Sequence, residues 1–571
     1  MKRISILLVV ALIGGALIGS SVSDAGTRSS RGERTKYLVL YKKGVTLRSA
    51  RAAVRRAGGR IVRENRAVRL ATVISRNDRF MTAILRQRAI AGAARNRTIG
   101  RSFLGQGKSD KIALAENQEE KKPGGKVRKN PAPDEPLAGL QWDMRQINAT
   151  PQGSYAVQPG SKKVLVGIID TGVDGSHPDL APNFNTGLSR NFTTDIPLVD
   201  GECADDPDHS CQDPANVDEA GHGTHVAGSV AAARNSFGIA GVAPNVSLVN
   251  LRAGQDSGYF FLQPSVDALT YAADNGIDVV NMSYYIDPWL YNCANNPADS
   301  PAAQQEQRTI IASTNRALDY AHKRGVTLVG SLGNSNTDLG NPTFDDTSPD
   351  FPPDTAYERE VDNSCLNLPI EGHHVIGVSA TGPSERKSWY SNWGVEQATV
   401  AAPGGDSFDA ALPAPQHRVL STYSFTAILQ EEKDTEVDLI DDETGEPLTN
   451  RIIRQCAGSQ CAYYRYLQGT SMAAPHATGV VALIVSQYGH KDGKNKGGLT
   501  LKPHQSKKIL IRTARDHACP AGGVQEYPEI GDTFGPDSWV AFTAPCEGTT
   551  SFNGLYGHGI VDALRAVTKR S

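Results

Sequence analysis

From Leu140 onward the chain repeats one rhythm: a short unbroken apolar run, a polar or glycine-containing break, then a longer stretch with helical spacing. The apolar runs fall at 163–170 (KVLVGIID), 245–253, 277–284, 326–333, 374–380 and 397–404, and they are rich in Val, Ile and Leu. Each has the length of a strand, not of a buried helix. Helical spacing returns at 222–234, 264–275, 307–324 and 471–488. Strands that are apolar on both faces and separated by helices predict a parallel sheet covered on both sides, an α/β doubly wound fold. In such sheets, sites collect where strands end and loops begin. No internal repeat is visible.

Upstream the pattern changes. A strand at 36–43, a helix over 46–59 closed by two glycines, paired strands over 60–75 and a second helix over 78–91 predict a small α+β unit. From 102 to 137 the pattern dissolves into charge, Gly and Pro, the composition of an exposed linker. Ahead of everything, Lys2 and Arg3 precede an apolar core from Ile4 to Gly19, followed by small residues around Ser23-Asp24-Ala25. That core is short for a membrane span, which needs about 20 residues, and it reads as a signal peptide. The predicted division is therefore 1–25 signal peptide, 26–101 small α+β domain, 102–137 linker and 138–571 main domain, in a secreted chain with no membrane attachment after cleavage.

Charge divides along the same line. Residues 1–130 carry 30 Lys/Arg against 8 Asp/Glu and the remainder 29 against 53, so the formal net charge of −2 hides +22 and −24. Opposite halves of this size suggest that they bind each other or that one binds a polyanion. The basic half lacks interleaved aromatics, which argues against a nucleic-acid arm, and its GQGKS at 105–109 fails as a phosphate loop because Ser102 stands where a glycine is needed. All eight cysteines (203, 211, 293, 365, 456, 461, 519, 546) lie in the acidic half. An even number in an exported chain suggests disulfides. Cys203/Cys211 and Cys456/Cys461 are close enough in sequence to staple local loops, and the spacing leaves the rest of the connectivity open.

Three polar motifs sit at strand ends or helix starts. Asp170 closes the 163–170 run, His222 opens a predicted helix, and Ser471 stands at the head of the 471–488 helix in LQGTSMAAPHATGVVALIV. Taken singly, these are a turn residue, a surface histidine and a helix cap. Taken together, they supply a weak nucleophile, a base to take its proton and a carboxylate to orient that base, in one of the recurring orders of such triads.

With IIDTGVDGSHPDL, GHGTHVAGSVAA, GVAPNVSL, VVNMS, LGN, AAPG, GTSMAAPHATGVVAL and YGHGIVDA all in order across residues 140–567, the chain resembles the subtilisin-like serine proteases. That resemblance implies that Asp170 orients, His222 is the general base, Ser471 attacks the peptide carbonyl and Asn334 donates to the oxyanion, while His225 and His476 pack. It implies a substrate strand at Ser257, Gly258 and Tyr259, a facing edge at Ser283 and Tyr284, and Gly333 beside the oxyanion residue. It also implies a structural calcium ion held by Asp179, the Asn235 side chain and the carbonyls of Ala233, Phe237 and Ile239, with no counterpart for the family's N-terminal glutamine ligand. The basic α+β unit resembles the propeptide that inhibits such proteases until it is removed.

The pattern departs where Leu-Gly-Gly usually follows VVNMS. Here Tyr284, Tyr285 and a long insertion take its place, and a second insertion at 426–462 includes an acidic stretch, 431–447, expected to form a solvated hairpin. The expectation is a secreted, monomeric serine endopeptidase made as a zymogen, acting on protein or peptide substrates. Its rivals are a selective processing protease and a catalytically silent binding protein that keeps the fold.

Overall fold

The computed structural model describes residues 35–95, 135–204, 209–352, 355–493, 497–531 and 542–569. The signal-peptide reading and nearly all of the 102–137 linker lie outside the described residues. No helix among those described is long and apolar enough to cross a membrane.

The N-terminal unit is an antiparallel sheet of β1 (Thr35–Tyr41), β2 (Gly59–Asn65), β3 (Leu70–Ser75) and β4 (Ile90–Arg95), in the order β2-β3-β1-β4, with α1 (Leu47–Arg56) and α2 (Phe80–Leu85). Thr46 caps α1, its side chain accepting from the Ser49 N–H, and Arg55 and Arg56 fall in the last turn, where cations suit the helix dipole.

The main domain is built on seven parallel strands in the order β11-β10-β9-β8-β5-β7-β6. They are β5 (Leu165–Ile169), β6 (Arg190–Asn191), β7 (Ser247–Arg252), β8 (Val279–Met282), β9 (Thr327–Ser331), β10 (Ile376–Thr381) and β11 (Val400–Pro403). Six were expected from the apolar runs, and only the two-residue edge strand β6 was not. The helices that matter here are α3 (Trp142–Gln146), α4 (His222–Ala231), α5 (Leu262–Asp274) and α6 (Pro301–Lys323). α6 begins six residues before the predicted start, because Ser300 caps it and Pro301 occupies its first position, where a missing N–H costs least.

The second insertion differs from its reading. Residues 425–435 form helix α7 (Phe425–Thr435), which is followed by the hairpin β13 (Ile452–Ala457) and β14 (Gln460–Leu467) against β12 (Val419–Tyr423). The helix-favouring run of Leu, Gln, Glu and Lys outweighs the turn-like charge pattern, and Glu431 is drawn inward to pair with Arg465. The chain then enters α8 (Thr470–Tyr488), almost wholly buried, and α9 (Pro503–Thr513).

All eight cysteines pair, as Cys203–Cys211, Cys293–Cys365, Cys456–Cys461 and Cys519–Cys546. The two units share an apolar face: Leu38, Leu40, Val68, Leu70 and Ala94 bury themselves in one cluster with Leu269, Ile310 and Leu318. Polar ties border it. Arg63 Nε meets Asp267 Oδ2 at 2.6 Å, Asn65 Nδ2 donates to Asp267 Oδ1 and Thr270 Oγ1, both at 2.7 Å, and Arg316 donates to the Tyr41 carbonyl at 2.8 Å.

Candidate active site

Asp170 follows the last residue of β5 and is fully buried. Its Oδ1 accepts from His222 Nδ1 at 2.7 Å and from the Thr171 N–H at 2.8 Å. His222 is the first residue of α4, and its side chain keeps 31% of its surface exposed while the carboxylate keeps none. One edge of the imidazole is thus pinned and the other faces the opening.

What aims this pair is Asp218, which the sequence reading missed. Its Oδ1 accepts from Thr171 Oγ1 and the Gly221 N–H, both at 3.0 Å, and its Oδ2 from the Thr224 N–H at 2.9 Å and Thr224 Oγ1 at 2.6 Å. One buried carboxylate therefore satisfies an orphan donor at the α4 N-terminus and ties that helix to the Asp170 loop. Gly221, just before His222, has φ +82°, and a Cβ there would lie 2.5 Å from the Tyr423 ring, so no other residue fits.

Ser471 occupies the second position of α8. Its hydroxyl donates to the Ser283 carbonyl at 3.3 Å, and Ser283 Oγ donates back to the Ser471 carbonyl at 3.1 Å. The second bond exists because residue 475 is proline. With no N–H there, the Ser471 carbonyl has no helical partner four residues on. Pro475 thus lies in the second turn of α8. Thr478 Oγ1 donates to Asn281 Oδ1, and Asn281 Nδ2 to Ser283 Oγ, both at 2.9 Å, which locks β8 to α8 beneath the serine.

Asn334 is positioned by Thr470, whose N–H and Oγ1 both donate to Asn334 Oδ1, at 2.9 and 2.8 Å. With its oxygen committed, the Asn334 amide turns Nδ2 outward. The point a Cβ on Gly469 would take lies 3.5 Å from Asn334 Nδ2 and 3.6 Å from the Ser471 nitrogen. Two N–H groups therefore converge on space that only glycine leaves open, the arrangement that stabilises a developing oxyanion. The Asn334 loop is held by Asn392, also missed: its Oδ1 accepts from the N–H groups of Ser335 and Thr337, and its Nδ2 donates to the Leu332 carbonyl. Gly333, at φ +99°, donates its N–H to Thr470 Oγ1 at 3.0 Å.

His225 and His476 pack. His225 Nε2 lies between the carbonyls of Val419 and Arg465, and burial pushes its imidazole down to about 3. His476 Nε2 meets Asp143 Oδ2 at 2.9 Å, fully buried, and so ties α8 to α3.

The residues expected to line the substrate path are brought together, but not as an open groove. Ser257 gives its N–H and hydroxyl to Asp200 Oδ1, and Gly258 sits at φ +85° in open space. Tyr259 reaches the Asp350 carbonyl and stacks on Phe261, while Tyr284 is buried against Phe260 at 4.2 Å between ring centroids. Beyond them the two edges meet: the Phe260 carbonyl accepts from the Asp287 N–H at 2.9 Å, and the Phe260 N–H donates to Asp287 Oδ2. Asp287 lies beside Asp350, which accepts from the Tyr285 hydroxyl at 2.6 Å. Burial, and then the Asp350 charge, raise Asp287 well above the usual carboxyl range, and burial raises Asp350 too.

The expected calcium ligands also gather. Asp179 is fully buried, and its Oδ2 accepts from the Ile239 N–H at 2.9 Å and the Tyr464 hydroxyl at 2.8 Å, leaving Oδ1 buried without a hydrogen-bond partner. Ala233 donates its N–H to the Asp179 carbonyl, and Asn235 Oδ1 accepts from the Phe237 N–H. Glu135, which the sequence reading left in the linker, accepts from the N–H groups of Ser236 and Phe237 at 3.1 Å, and burial pushes its carboxyl up to about 7, with the Asp179 charge adding to it. Two buried carboxyls against one loop, one with an orphaned oxygen, fit a hard divalent ion. The acidic loop around 203–217 instead sends Asp213 to the buried Arg252 guanidinium, which Asp195 and Asp256 also meet.

Comparison with known proteins gives the chain a family. The subtilase family matches residues 161–559. Subtilisin DY of Bacillus licheniformis is 29% identical over 325 residues, covering 57% of this chain and 77% of that protein. The nisin leader peptide-processing serine protease NisP of Lactococcus lactis is 27% identical over 372 residues, 65% of this chain and 46% of its own length. The crystal structure of the epidermin leader peptide processing serine protease from Staphylococcus aureus superposes with a TM-score of 0.59 at 20% identity, over 95% of this chain and all of that one, and so shares the fold. With the family match spanning the sheet, the serine helix and the loops between them, the chain belongs to the subtilase family and is a subtilisin-like serine endopeptidase.

Proposed function

We propose that Asp170, His222 and Ser471 hydrolyse peptide bonds through an acyl-enzyme, with Asn334 and the Ser471 N–H as oxyanion donors. The observation that carries this reading is the 2.7 Å Asp170–His222 bond set beside two N–H groups converging over Gly469. Asp170 holds His222 with its proton on Nδ1, so Nε2 is the nitrogen that takes the serine's proton. When substrate enters, the Ser471 hydroxyl leaves the Ser283 carbonyl and gives its proton to Nε2 as Oγ attacks. The imidazolium then protonates the leaving amine, and the same histidine activates the water that frees the acid.

The same reading makes the chain a secreted zymogen divided as 1–25, 26–101, 102–137 and 138–571, with the N-terminal unit as intramolecular inhibitor. Its shared apolar face with α5 and α6 supports this, and the contacts of Glu135 favour a maturation cut ahead of that residue. Glu135 would join Asp179, Asn235 and the carbonyls of Ala233, Phe237 and Ile239 around calcium, a structural ion that neutralises the buried carboxyls. The test compares the intact mass of the secreted protein with that of Ser471→Ala, together with fluorophosphonate labelling. Loss of the basic segment and labelling in the parent alone support the reading; equal trimming and no labelling sink it.

A second reading, a selective processing protease, is favoured by the Phe260–Asp287 junction. Four residue steps separate Ser283 from Asp287, about 13 Å of extended chain, which leaves room for roughly three substrate residues before the edges close. Casein cut at few sites, with defined peptides cut at one, separates this from general digestion.

A further inference from the structure

Four of the chain's 13 histidines converge far from the serine. His373 Nδ1 and His374 Nε2 lie 3.2 and 3.0 Å from the same oxygen, Asp319 Oδ1, and the three ligand atoms fall within 4.8 Å of one another. His322, one turn beyond Asp319 on α6, lies flat on His374, with ring centroids 3.9 Å apart and planes 9° apart. His504, on the first turn of α9, stands close to His322. His374 has φ +69°, a conformation seldom adopted outside glycine, and it turns the ring back onto α6. The His373 N–H is fixed by Asn315 Oδ1 at 2.9 Å.

We propose that Asp319, His373 and His374 form a binding site for a borderline divalent transition metal of the zinc class, with His322 beside its open position. Ligand atoms held tetrahedrally at about 2.0–2.1 Å from zinc stand about 3.3 Å apart, close to the spacing seen here. As protons alone, the arrangement sets two imidazoles on one carboxylate oxygen and stacks a third ring on one of them. As neutral ligands, the same rings turn lone pairs toward one point. Two imidazoles and a carboxylate suit zinc, nickel or copper better than calcium. The site joins the last turns of α6 to the segment entering β10, at the end of the sheet opposite Asp170 and Asn334. Metal there braces the sheet and leaves hydrolysis unchanged.

The test uses the full chain as Ser471→Ala, without a histidine tag and with calcium present, titrated with zinc by calorimetry and with cobalt(II) followed by visible absorption. Expected are one equivalent of zinc, a tetrahedral cobalt band, a raised thermal midpoint, and at least about 10-fold weaker zinc in both His374→Ala and Asp319→Asn. In the Ser471-intact chain these variants should hydrolyse peptides as the parent does, which also shows that they fold. No zinc binding, or binding undiminished in both variants, overturns the proposal and leaves a hydrogen-bonded ion pair.

Discussion

The catalytic centre and the Phe260–Asp287 junction both lie beyond the C-terminal ends of the parallel strands, and they are held in opposite ways. Around Ser471, buried partners commit one side of each group and leave the other side facing the opening: Asp170 for His222, Thr470 for Asn334, Ser283 for Ser471. Around Phe260 the partners consume what would face substrate, since its N–H and carbonyl both go to Asp287 and its ring to Tyr284. Reaction geometry and substrate access therefore rest on separate contacts, so substitutions should affect one without the other.

The largest effect should come from Asp170→Asn. An amide NH₂ facing Nδ1 favours the wrong histidine tautomer, and kcat should fall about 10⁴-fold with the fold intact. An unchanged kcat would remove His222 from the reaction. Asn334→Ala should cost about 10²–10³ in kcat, the magnitude measured for such a donor in a subtilisin, with KM little altered. A loss appearing in KM instead would place Asn334 in substrate binding.

Calcium should act on stability and not on turnover, which separates it from both regions. A ligand at 100 times its Kd stabilises by about 2.7 kcal/mol. Chelation should lower the thermal midpoint by that equivalent, and Glu135→Ala should abolish most of the calcium-dependent shift. A midpoint indifferent to chelator would exclude the Asp179–Glu135 site.

Much of this was legible because it is local. Apolar runs marked six of the seven strands, and Asp170, His222 and Ser471 each sit where a run ends or a helix starts. What stayed hidden acts across the fold. Asp218 and Asn392 work by accepting backbone N–H bonds from loops that periodicity does not connect. Glu135 lies in a charged, proline-rich stretch whose composition reads as linker until the 233–239 loop is folded against it. Tyr284 showed that the pocket departs from its family, but the closure needs Phe260 and Asp287 brought together from segments 27 residues apart. Helix spacing located α8, yet the use of Pro475, freeing the Ser471 carbonyl for Ser283, appears only once both segments are placed.

The smallest effect is also the most specific to this chain. Asp287→Ala should free the Phe260 N–H for substrate, while the backbone N–H of residue 287 still holds the Phe260 carbonyl. One backbone hydrogen bond at about 1 kcal/mol is worth about 5-fold in kcat/KM, and the gain should appear only for peptides longer than three residues before the scissile bond. The parent should show the same opening with pH. A carboxyl whose folded pKa lies above its unfolded value binds more protons when folded. Its closed state is therefore fully favoured below the ordinary carboxyl range and is lost as pH rises toward the raised value. With Asp287 and Asp350 both raised, the ratio of long-peptide to short-peptide kcat/KM should climb with alkalinity in the parent, while His222 ionisation cancels from that ratio. In Asp287→Ala the ratio should be high and flat. A flat, low ratio in both proteins would mean that the Phe260–Asp287 junction does not limit the cleft, and the selective reading would lose its structural support.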